Sequence, residues 1–291
     1  MSTRTRLQCL ALPLVLLLPA MAHGQGLIWS LPEQEGTLVR YEGVYKQVEF
    51  RERTAADDSE NREFEWRRVV TIKSLVTPEK DKTGKYLGQD VSCRWIELKV
   101  ETGDRDVAVS PSGVNPGLSG KRIYKVLIPE SRIFGSIVDG RSVDRIGIPV
   151  SFIPIVRGYR KIGIKLPTSM IKTRVLQIYP AISLLKHYKE YSQTTESEAF
   201  QVPLENQPMV TGIRLKGQQM VQSRRNKFEH TAELLRSDEV PFGLAGWDVK
   251  IVHFRKRDSD AREQFTKRTE TTVRMRVAKI DSEAKSDIAE N

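Results

Sequence analysis

Between Thr271 and Ala278 every second residue is apolar: Val273, Met275 and Val277 alternate with Thr272, Arg274 and Arg276. A period of two puts one set on one face of an extended strand and the other set on the opposite face, whereas a helix would scatter the charges around its circumference. The same mixture of β-branched, aromatic and charged residues recurs over Thr37 to Arg51, Glu65 to Val76, Val91 to Glu101, Lys121 to Ile128, Gln218 to Arg224, Phe228 to Leu235 and Trp247 to Phe254. Hairpin-length gaps between such segments predict mainly antiparallel pairing, and roughly eight to eleven strands in one sheet curl or split rather than stay flat. The expected fold is mainly β: a single curved antiparallel sheet, half-barrel or barrel-like, with one or two short helices, or alternatively a β-sandwich.

Between the strands, Glu52 to Arg62 and Arg255 to Gln264 are charged and have almost nothing to bury, so both read as exposed hairpin loops. Gly103 to Gly120, rich in Gly, Pro and Ser, reads as a long loop. Glycines and prolines break Ser131 to Thr173 into short strands and turns. One helix is predicted at Pro180 to Tyr191, where Pro180 suits the first helical position and Leu184, Leu185, Tyr188 and Tyr191 form one stripe. No fixed-period repeat or linker divides residues 23–280, which are expected to form one β-rich domain. The C-terminal stretch 281–291 has so little apolar content that it is expected to be disordered.

The N-terminus has the layout of an export signal. Arg4 and Arg6 precede an apolar run from Leu7 to Pro19, and Ala20-Met21-Ala22 is a small-x-small cleavage motif. Cleavage is expected between Ala22 and His23, with a cut after Gly24 also compatible. The run is too short, and too interrupted by Pro13 and Pro19, for a membrane-spanning helix, so no transmembrane segment is expected in the mature chain. Removal of residues 1–22 also removes Cys9 and leaves Cys93 alone, without a disulfide. A chain of this length buries an adequate core without cross-links. The full sequence holds 47 Lys and Arg against 37 Asp and Glu. For an exported chain such a basic surplus points to envelope lipid headgroups or acidic polysaccharide rather than nucleic acid.

Catalytic and metal motifs are missing from the sequence. His230-Thr231-Ala232-Glu233 and His187-Tyr188-Lys189-Glu190 each pair one imidazole with one acid but lack the second histidine of a zinc helix. Gly158 to Gly163 has the glycine spacing of a phosphate loop but is followed by Ile164-Lys165-Leu166 instead of Lys and a hydroxyl residue, and Gly212 to Gly217 fails in the same way. There is no Gly-x-Ser-x-Gly elbow. Asp258 and Asp260 lack the central glycine and ordered oxygen ligands of a calcium loop. No catalytic, cofactor-binding or metal-binding residue and no cofactor is therefore nominated. An enzyme without a recognisable motif would draw on Cys93, His187 or His230. The aromatic residues Trp66, Trp95, Phe242 and Trp247 are the candidates for lining an apolar cavity, with core packing as their alternative role.

Two stretches carry a resemblance. Leu27-Ile28-Trp29-Ser30-Leu31-Pro32 with Gly36 to Gly43 resembles the start of uncharacterised exported bacterial proteins. Ser237-Asp238-Glu239-Val240-Pro241-Phe242-Gly243-Leu244 is similar to the strand-exit turn of the lipoprotein-carrier type of half-barrel. That resemblance implies a strongly curved sheet whose concave side is closed by helices and holds an acyl chain. The functional expectation is a noncatalytic periplasmic or extracellular protein that binds a lipid, lipoprotein or acidic polysaccharide of the cell envelope. The alternative is a structural or assembly factor of the envelope.

Overall fold

The computed structural model describes residues 27–51, 61–103, 120–132, 151–170, 175–178, 190–261 and 263–288. The chain is mainly β, with its strands in one open antiparallel sheet of 13 strands. The order of elements begins with β1 (Leu38–Glu49), β2 (Arg62–Ser74), β3 (Thr83–Tyr86), β4 (Gln89–Thr102) and β5 (Gly120–Pro129). Short strands follow: β6 (Ser151–Pro154), β7 (Arg157–Ile162), β8 (Thr168–Ser169), β9 (Val175–Ile178), β10 (Glu190–Gln193) and β11 (Glu198–Gln201). The chain closes with β12 (Met209–Gln222), β13 (Asn226–Arg236), β14 (Leu244–Arg255) and β15 (Thr266–Asp281). Neighbours run β10-β12-β13-β14-β15-β1-β2-β4-β5-β7-β8, with β11 beside β12, β3 beside β4, and β6 and β9 forming a separate pair.

The single-sheet expectation is met and the sandwich alternative is not. Among the described residues no helix reaches seven residues. Three-residue 3-10 turns occur at Glu79–Asp81, Glu130–Arg132 and Pro241–Gly243. Most of the helix expected at Pro180 to Tyr191 lies outside the described residues, as do the export signal and the Ala22 to His23 bond; Glu190 and Tyr191 belong to β10. No described helix is long and apolar enough to cross a membrane.

Two central strands meet where the N-terminal and C-terminal segments of the fold join: β1 pairs with β15 along its whole length. Glycine brings these backbones close. A methyl placed on Gly43 would fall on the Arg274 carbonyl, and one on Gly212 would fall on the Arg236 carbonyl. Such close approach bends a sheet, because no side chain holds the neighbouring strand away. Tyr41 and Trp247 stand on strands two positions apart, yet their ring centres are 4.8 Å apart over the intervening β15. Flat spacing would set those strands about 9.5 Å apart, so the rings lean inward over Met275.

The inner face is one continuous apolar cluster joined by Ile153, Ile155 and Leu176 from the β6 to β9 region. Leu27 and Ile28 also insert there, each 1 % exposed. The two stretches that carried the resemblance touch one another: Trp29 N–H donates to the Phe242 carbonyl at 2.9 Å.

Of the stretch 281–291, residues 281–288 are among the described ones. Residues 282–288 lie on the outer face, where Ile288 is 2 % exposed. Asp287 N–H and Ser286 Oγ–H donate to the Glu97 carboxylate at 2.9 and 2.6 Å. Lys73 bridges Glu97 at 2.7 Å and Asp287 at 3.0 Å. The polar groups of this stretch thus find buried charged partners.

Candidate functional site

Directly opposed residues of an antiparallel pair share a face. The register therefore assembles rows across the inner surface. One runs Leu234, Trp247, Met275, Gly43, Arg68 and Thr102. Its β13 to β15 side is apolar, and its β2 side ends in a guanidinium that is only 2 % exposed. The next rows place Arg122, 7 % exposed, opposite Val100, and Tyr124 opposite Leu98. Toward the hairpin end, His230 opposes Ile251, Ile251 opposes Thr271, and Thr271 opposes Gln47. An apolar floor thus grades into a belt of cations, phenols and amides.

The electrostatics of the belt follow from burial. Arg68 stacks over the Tyr45 ring at 5.3 Å. Burial pulls the Arg68 guanidinium down to about 10, Tyr45 opposes that, and the positive charge of Arg122 adds to it. Burial raises the Tyr45 phenol, opposed by Arg68 and a hydrogen bond with Thr271. Tyr124 is raised by burial against Arg122 and Arg160. Tyr45 O–H donates to Gln47 Oε1 at 3.1 Å. His230, 2 % exposed, is pulled down to about 3 by burial and is a neutral imidazole at neutral pH. The Trp247 indole N–H is buried without a hydrogen-bond partner. A buried donor lacking an acceptor calls for an ordered water or a bound ligand.

The four aromatic candidates do not meet in one cavity. Phe242 and Trp247 are buried in the inner cluster, and Trp66 is half-buried, stacked on Phe64 at 5.5 Å. Trp95 is on the outer face, where the parity of inner Ile96 and Leu98 forces it. It packs there with Cys93, Leu75 and Leu127, and its indole N–H donates to Asp81 at 2.9 Å. β4 is buried on both faces, so alternation could not assign Trp95 a side. Two open concavities of about 450 and 500 Å³ line other surfaces, one beside Arg236 and Glu239, the other beside Arg40, Glu42 and Lys279.

The three residues named for an unrecognised enzyme are also apart. Cys93 is on β4 and His230 on β13, with four strands between them and on opposite faces. The Cys93 thiol is pushed up to about 11, chiefly by burial and further by Glu130 and Asp81, with Arg157 opposing. His187 lies outside the described residues. No group of three or more metal-ligating side chains occurs among the described residues. Arg68 and Arg122 were missed in the sequence because each interrupts a strand that alternation would otherwise leave apolar; a basic residue at an inward position is the signal that could have found them.

Fold and belt together define an open, curved, mainly antiparallel β-sheet with a cationic inner margin. No family model matches the chain, and neither a curated protein nor a solved structure matches it.

Proposed function

We propose that this is a noncatalytic exported protein that binds an anionic amphiphile of the cell envelope, a lipid or a lipidated protein, on the inner face of its sheet. The observation that carries the reading is the placement of two buried arginines, Arg68 and Arg122, at the margin of an apolar surface. Both guanidinium groups are fixed cations beside apolar rows, so an anionic headgroup meets complementary charge there while an acyl chain covers the rows. The indole N–H of Trp247 offers a donor at the other end of the Arg68 row, three strand spacings or about 14 Å away. The similarity of Ser237 to Leu244 to the lipoprotein-carrier turn supports the same reading.

The test is native purification followed by organic extraction and mass spectrometry, then titration with a fluorescent anionic fatty-acyl probe while following the probe's own emission. The expected result is a co-purifying amphiphile and probe affinity that falls at least tenfold in the Arg68→Met, Arg122→Met double variant, with the neutral-headgroup analogue little affected. A natively purified protein that yields no amphiphile and binds no probe would leave the inner face as packing alone and favour the structural or assembly role.

A further inference from the structure

Antiparallel connectivity sends several connections to the same end of the sheet. The turns after β12, after β14 and after β7 all lie there, because β12, β14 and β7 run in the same direction in the alternating order. Two features distinguish this end. Among the described residues of 222–227 and 255–268, eight are Lys or Arg and three are Asp or Glu. The turn after β7 also projects two aliphatic side chains around a lysine: Ile164 is 86 % and Leu166 82 % exposed, with Lys165 between them.

The bases of the tips are built from aromatic rings under ammonium groups. Lys227 lies 4.2 Å from the centre of Phe254, Lys267 4.2 Å from Phe50, and Lys256 5.8 Å from Phe265. These contacts hold the cations at the rim. The same positive field is felt by His253, whose imidazole is lowered first by burial and then by Arg255 and Arg268. Arg224 is 81 % exposed at the side chain and, like its neighbour Arg225, pairs with Asp258, so the two cations share one acid. The cationic charge belongs to the β12 to β15 side; the β1 to β2 connection is acidic in sequence.

We propose that this end of the sheet is a docking rim for an anionic lipid bilayer. Cations at the tips match the surface potential of acidic headgroups, which acts within a Debye length of about 8 Å at physiological salt. Ile164 and Leu166 match the acyl boundary, where exposed aliphatics beside basic residues insert. An acidic polysaccharide would use the cations but leave the two aliphatics without a role, which is why the bilayer is the better fit. The rim is separate from the inner-face belt and does not depend on what that face binds.

The experiment is co-sedimentation of the full chain with vesicles of phosphatidylglycerol and phosphatidylcholine in equal parts, against phosphatidylcholine alone. Binding is expected on the anionic vesicles and to weaken steeply with added salt. The Arg224→Glu, Arg255→Glu variant is expected to bind at least about tenfold more weakly. The Ile164→Ser, Leu166→Ser variant is expected to lose the residual binding that survives high salt. Thermal midpoints and retained inner-face ligand should be unchanged in both, which separates this proposal from the preceding one. Equal partition onto neutral and anionic vesicles, or no effect of the charge reversals, overturns it. So does undiminished vesicle binding by the Ile164→Ser, Leu166→Ser variant together with equally tight capture by dextran sulfate, which would assign the rim to soluble polyanions.

Discussion

Met275 and Arg274 are chain neighbours that differ in everything but position: the first is 0 % exposed and the second has a side chain 75 % exposed, paired with Asp248 at 3.1 Å. Met275→Ala removes buried volume from a row that cannot close over the gap and is expected to cost about 2 to 5 kcal/mol. Arg274→Ala loses one solvent-screened pair and is expected to stay within about 0.5 kcal/mol. Urea midpoints of the two variants check this, and equal losses would reverse the assigned faces. Phe242 is a sharper case. It is fully buried although its φ is +68°, and it is followed by Gly243 at +80°. The left-handed backbone costs energy in a side-chain-bearing residue, so packing must hold it in place. Phe242→Ala keeps the strained backbone while deleting the ring and is expected to lower stability by about 3 to 5 kcal/mol; an unchanged denaturation midpoint would sink that account. In a chain starting at His23, Cys93 is expected to label slowly in the native state and to give one thiol equivalent once unfolded.

At the scale of elements, the glycine on β1 sets how tightly the two central strands coil. Gly43→Ala drives a methyl into the Arg274 backbone carbonyl, a contact that no rotamer relieves. Overpacking of that kind costs about 1 to 3 kcal/mol or more. Gly88→Ala is the control: its φ is +82°, and nothing lies within 4 Å of the added atom. It should cost about 1 kcal/mol, from backbone strain alone. If the two variants unfold together, close strand approach is not what bends the sheet. The long strands were legible from their β-branched and aromatic content, and most clearly where one face dominates: β15 runs Thr266–Asp281 around the alternation read at Thr271 to Ala278. Only the end of β12 was read, since its Met209 half carries Gly212 and mixed polarity. Strands such as β7, β8 and β10 are too short to show a period. The candidate site was illegible for another reason: Trp247 and Arg68 join one row only through three cross-strand registers, which periodicity within a strand cannot supply. The contacts of residues 286 and 287 were illegible because their partners, Glu97 and Lys73, are equally polar and far away in sequence.

Across the whole molecule, acid separates the two halves of the fold. On the outer face, burial raises the Asp287 carboxyl, but its bond and charge pairing with Lys73 and the charge of Lys99 outweigh that and hold it below its ordinary 3.8. A carboxylate depressed on folding stabilises above its unfolded value, and the gain is lost as pH falls below about 4. On the inner face His230 acts earlier. Its imidazole falls from 6.5 to about 3 through burial, so the unfolded chain takes up a proton across that interval while the folded chain does not. Stability is therefore full above about pH 6.5 and declines as pH falls toward 3, by at most about 1.4 kcal/mol per unit. Loss beginning near pH 6 thus belongs to the buried imidazoles, His230 first and His253 with it, and loss confined below pH 4 to carboxylates held low in the fold, Asp287 of the C-terminal segment among them. Urea denaturation at half-unit steps from pH 7.5 to 3.5 resolves the two. His230→Gln, which cannot take up the proton, is expected to flatten the upper part of the profile and leave the fall below pH 4 intact. Deletion of residues 285–291 should do the converse, lowering stability at pH 7 and shrinking the fall below pH 4. His253 is lowered by burial as well and keeps its own share of the upper slope; an upper slope wholly undiminished in His230→Gln would show that the His230 imidazole is hydrated or charged in the folded protein, and its place as a buried neutral group on the inner face would have to be abandoned.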